Sequence, residues 1–90
     1  MANVLNTGGY KLITATGNVS PVNTDLLGIF VSTATAGTFV VYDSATTTTS
    51  APITGTVTAV GGTWYSIPAS ASAGLYIVVT GTLNATVIFG

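Results

Sequence analysis

The chain has 90 residues, enough for one small domain, and only three of them are charged: Lys11, Asp25 and Asp43. With no His, Cys, Arg or Glu, it lacks the usual inventory for acid–base, thiolate, zinc and phosphate-binding chemistry. An apolar fraction of 48% still supplies a core, so low charge here does not mean disorder.

Thr, Val, Ile, Tyr and Phe together make up nearly half of the chain while charged helix formers are nearly absent, which predicts an all-β fold. Residues 1–9 read as an N-terminal arm and residues 10–90 as a single β domain. The opening residues carry no cationic stretch before an apolar one, so no secretory leader is expected. A first strand is predicted over residues 10–15, ended by Gly17-Asn18 and Pro21. A second covers 26–32, and the small-residue stretch 33–37 turns it into a third over 38–43, as a hairpin. Residues 44–51, with four consecutive threonines, read as an exposed loop.

A fourth strand is predicted over 53–60, and Gly61-Gly62 makes a tight turn into a fifth over 63–67. Pro68 lacks a ladder donor and is expected to end that strand. A sixth strand follows over 74–80, a turn over 81–84, and a last strand over 85–89. The expected fold is a single small β-sandwich or jelly-roll-like barrel of seven to eight antiparallel strands, the eighth lying at the N-terminus.

Side chains alternate along a strand, so Phe39 and Val41 share one face of the third strand while Val40 and Tyr42 share the other. Leu75, Ile77 and Val79 likewise oppose Tyr76, Val78 and Thr80. Both faces of these strands are apolar, which suggests a second surface covered by another subunit. Trp64 and Tyr65 are neighbours, so one ring is expected inside and the other outside. Candidate interface residues are therefore Trp64, Tyr65, Tyr42, Tyr76 and Phe30.

The remaining motifs read as structure. Asp25 and Asp43 sit at strand ends or turns, where a carboxylate ordinarily accepts backbone N–H groups. Gly8-Gly9 and Gly61-Gly62 open no helix and so form no phosphate cradle. No catalytic residue, metal site or cofactor is expected. One cation gives no hold on nucleic acid, and the apolar runs are too short for a membrane helix. An eight-stranded membrane barrel would need well over this chain's length.

Residues 26–90 resemble the small structural proteins of tailed bacteriophages, of the capsid decoration or cement type. The resemblance is carried by 27–31 leading through Gly37 to Val41-Tyr42-Asp43, then by 62–65 with Ile67-Pro68. Gly74-Leu75-Tyr76, Gly81-Thr82 and the closing stretch 85–90 complete it. It implies a virion protein without catalytic residues, assembled in the bacterial cytoplasm, that cements the major capsid protein as a homo-oligomer, a trimer being favoured.

A tail, neck or head-fibre component is the alternative, with Trp64, Tyr65, Tyr76 and Tyr10 as candidates for stacking on a host glycan. A self-assembling filament built through unprotected strand edges is a third expectation.

Overall fold

The computed structural model describes residues 9–90. The arm expected over 1–9 thus lies outside the described residues, apart from Gly9, which opens the first strand. The described residues are all-β, with no helix. Six strands form one antiparallel sheet: β1 (Gly9–Ile13), β2 (Gly17–Ser20), β3 (Thr24–Asp43), β4 (Val57–Thr58), β5 (Thr63–Ala71) and β6 (Leu75–Phe89).

The sheet is organised around β3 and β6, which pair from Leu26↔Phe89 at one end to Asp43↔Leu75 at the other. β1 and then β2 follow the free side of β6, while β5 and β4 follow the free side of β3. Between β1 and β2 the Thr16 hydroxyl continues the ladder, accepting from Val79 N at 2.8 Å and donating to Val79 O at 3.2 Å.

A straight strand of β3's 20 residues would span about 65 Å at the usual rise, yet the longest extent of the molecule is 38 Å. The long strands therefore bend. Register shifts on β3 fall between Leu26 and Gly28, Val31 and Thr33, and Thr35 and Thr38. At each shift β3 carries one residue more than β6, the signature of a β-bulge, which bends its strand and raises its twist. At the third, Ala36 (φ 53°) and Gly37 face Gly81 (φ 81°). The backbones approach so closely there that a Cβ on Gly81 would overlap the Ala36 carbonyl oxygen.

This geometry corrects several expectations. Residues 33–37 are not a hairpin turn between two strands, and 81–84 do not turn the chain, because each stretch continues its strand through the bend. The small residues that read as turns on sequence are bulge residues of β3 and the β6 residues that lie opposite them. The fourth strand shrinks to two residues, preceded by an isolated Tyr42↔Pro52 bridge. Pro68 does not end β5: it sits inside the strand, opposite the irregularity between Leu26 and Gly28. Among the named strands β5 pairs only with β3, so a residue without an N–H is tolerated on its outer edge.

One face of the bent sheet wraps the core. Leu26, Ile29 and Val31 from the first half of β3 cluster with Phe39 and Val41 from its second half. Leu75, Ile77, Leu83, Ala85 and Val87 of β6 join them, with Ile13 and Val19 from the β1–β2 side. Each fully buried Leu, Ile or Phe contributes about 1.5–3 kcal/mol relative to its exposed state. The buried hydroxyls are satisfied locally. Ser20 Oγ donates to Val22 O, and Ser44 Oγ accepts from Thr46 N and Thr48 N.

Candidate interaction surface

Burial along β5 alternates without interruption from Thr63 to Ser70, because its inner side faces the core and its outer side faces water. Tyr65 therefore points inward. Its ring meets Phe39 edge to face, and its hydroxyl accepts from Val60 N at 3.0 Å and donates to Thr58 O at 3.3 Å. Trp64 points outward and is 49% exposed. Its indole lies over Gly28, where any added Cβ would overlap the ring.

Cross-strand register extends this outer face. Directly paired residues share a face of the sheet. Phe30 pairs with Trp64 on one side and Thr86 on the other, and Thr86 pairs with Leu12. The next outward row runs Ser66, Gly28, Ile88 and Tyr10 by the same registers. Tyr10, Leu12 and Phe30 are 76%, 61% and 40% exposed. Four of the largest exposed apolar side chains thus stand together on one face of the sheet.

No charged side chain belongs to either row. Lys11, between Tyr10 and Leu12, has the opposite strand parity, and its Nζ donates to Asn18 O at 3.0 Å at the sheet edge. Leu12 is not among the residues singled out from the sequence, and Tyr10 is singled out there only for glycan stacking. Their pairing with the Trp64 and Phe30 rows depends on non-local register, and Leu12 carries no signal of it in its own neighbourhood.

Tyr42 and Tyr76 occupy the other half of the sheet. They are directly paired, with ring centroids 6.2 Å apart and planes tilted by 35°. Asn18, on the far side of β6 from β3, donates through Nδ2 to Ser44 O and Thr46 O. The segment leaving β3 is thereby tied back across β6, and Tyr76 between them is left only 9% exposed. The structure thus brings Trp64 and Phe30 together, buries most of Tyr76, and turns Tyr65 inward.

The Asp43 carboxylate serves the backbone, whereas the hydrogen bonds of Asp25 are made by its main chain. Asp43 Oδ1 accepts from Ala73 N at 2.8 Å and Gly74 N at 3.3 Å, while Oδ2 accepts from Ser72 N and Ser72 Oγ. The Ala73 N–H is foremost in holding the Asp43 carboxyl below its ordinary range, aided by Gly74 and Ser72 against a smaller opposing effect of desolvation. Asp25 exchanges two backbone hydrogen bonds with Gly90 and borders an open depression of about 370 Å³ with Asn23, Ser70 and Ser72. No cluster of three or more metal-ligating side chains occurs among the described residues.

No protein-family model, curated protein or solved structure matches the chain.

Proposed function

We propose that this chain is a non-catalytic structural module that works by packing against other protein. The specific form is a tailed-phage virion protein that decorates and cements the capsid. The observation that carries the reading is the uncharged outer face bearing Tyr10, Leu12, Phe30 and Trp64. Soluble monomers rarely display contiguous large apolar patches, and such patches mark contact surfaces. In this reading the two halves of the bent sheet serve as the layers of a small β-sandwich, with the bulged long strands each counted twice. Several such modules spanning neighbouring shell subunits would staple them through raised effective concentration.

The test is co-purification of the chain with particles from cells producing the phage that encodes it. A copy number matching the shell subunit supports the cement role, and one matching a neck or tail ring moves the protein there. Because three charges leave little for salt to screen, attachment should persist in molar NaCl. Stripping of the chain from particles by NaCl alone would overturn the reading.

A glycan-binding role as a tail, neck or head-fibre component is favoured by one specific feature. Trp64 and Tyr10 are exposed rings on a face that also carries the Ser66 and Thr86 hydroxyls. Glycan-array binding that disappears in Trp64→Ala, with the fold retained, would select this role over cementing.

A further inference from the structure

The outer face of the sheet also specifies its first partner. We propose that two copies of this chain pack through the face bearing Tyr10, Leu12, Phe30 and Trp64, related by a two-fold axis parallel to the strands. This rests on the reading above that the face packs against protein, and takes a second copy of this chain as the protein it meets.

The first argument is self-complementarity. Across the face the outer strand order is β5, β3, β6, β1. A two-fold axis along the strands reverses that order and sets β5 over the partner's β1, and β3 over the partner's β6. Bulky residues then meet small ones: Phe30 faces the partner's Thr86, and Ser66 faces the partner's Tyr10. Trp64 lies over the partner's Leu12. Alternation of large and small side chains across facing layers is how β-sheets pack at about 10 Å separation.

The second argument is area. Aromatic side chains carry roughly 150–250 Å² each, so the exposed fractions of Tyr10, Phe30 and Trp64 amount to on the order of 300 Å² per copy, to which the exposed Leu12 adds. With the serine, threonine and glycine surface between them, the paired faces reach about 1,000 Å², where specific contacts begin. The third argument is charge. Neither row contains an ionisable side chain other than the Tyr10 phenol, so no charge is desolvated when the face meets itself. A surface that meets its own copy across a two-fold axis closes at two subunits.

Sedimentation equilibrium across a concentration series, with the Trp64 emission maximum followed in parallel, tests the proposal. The wild-type chain should sediment at twice its 8.9 kDa mass, with Trp64 emission moving to shorter wavelength as copies associate. Leu12→Lys and Tyr10→Lys, checked for fold by circular dichroism, should each weaken association about tenfold or more by placing a charge in the contact. Val22→Lys, at a similarly exposed position in the β2–β3 connection, should leave it unchanged.

A wild-type monomer, a trimer, or a dimer indifferent to both lysine variants would overturn the proposal. The two readings fail separately. A monomer still retained on particles overturns the dimer alone, whereas a dimer absent from particles overturns the cement role alone.

Discussion

Phe39 and Tyr65 meet edge to face with centroids 5.6 Å apart and planes at 77°, joining opposite halves of the bent sheet. Phe39 lies beyond the Ala36–Gly81 crossing, opposite Val57, while Tyr65 pairs with Ile29 before it. Their contact is a closure of the fold. Phe39→Ala should cost about 3–5 kcal/mol, as full-size aromatic deletions in cores do. Tyr65→Phe keeps the ring and removes only the hydrogen bonds to Val60 and Thr58, so about 1 kcal/mol is expected. Urea unfolding of both variants measures the difference, and equal losses would mean the hydroxyl is the more important part of Tyr65.

Gly81 and Gly62 both have positive φ, but their surroundings differ. A Cβ on Gly62 would meet nothing within 4 Å, whereas one on Gly81 would overlap the Ala36 carbonyl. Gly62→Ala should therefore cost about 1–2 kcal/mol from left-handed backbone strain alone. Gly81→Ala should cost clearly more, because the bend between the sheet halves must open. Thermal unfolding of the two variants decides this, and similar losses would show that the crossing relaxes freely.

Gly28→Ala should displace the Trp64 indole from the sheet surface. Since Trp64 is the only tryptophan, its emission reports the movement without interference. The expected outcome is a shift to longer wavelength together with lower stability. A double-mutant cycle with Trp64→Ala should show coupling between the two positions, and additive effects would indicate no contact between them.

Acid should weaken the fold through Asp43. Its folded-state carboxyl lies below the unfolded value of about 4, so its contribution is fully present above that pH. That contribution disappears as pH falls toward and through the folded-state value, when the proton displaces acceptance from Ser72, Ala73 and Gly74. Melting temperature should be nearly flat from pH 5 to 8, then fall on acidification. Asp43→Asn should be less stable at neutral pH and show a shallower acid decline, while Thr47→Ala in the exposed loop should match the parent throughout. An unchanged acid decline in Asp43→Asn would move the effect to another group.

Local chemistry was legible where one residue type has one use. Gly61-Gly62 forms the expected turn, residues 44–51 form a loop, and the period of two puts Trp64 and Tyr65 on opposite faces. The same logic misread 33–37 and 81–84, because turns and bulges both recruit small residues and positive φ. Whether such a stretch reverses the chain or bends it depends on what lies opposite. Here each lies opposite the other.

Pro68 was misread for a related reason. A missing N–H ends a central strand, but it is harmless on an edge that pairs on one side only. The interaction surface shows the same division. Phe30, Trp64 and, for stacking, Tyr10 can be named from their aromatic character, whereas Leu12 joins them only through the β1–β6–β3–β5 registers.

Composition and alternation by themselves determined a β-rich chain with almost no charge and two-sided apolar strands. Three charged residues, one positive and two negative, in a chain without His or Cys, leave little for catalysis and little to keep surfaces apart. Tertiary structure alone decided which apolar face became core and which stayed exposed. Alternation makes two equivalent faces, and only the bulges that fold β3 and β6 over choose the one that closes on itself.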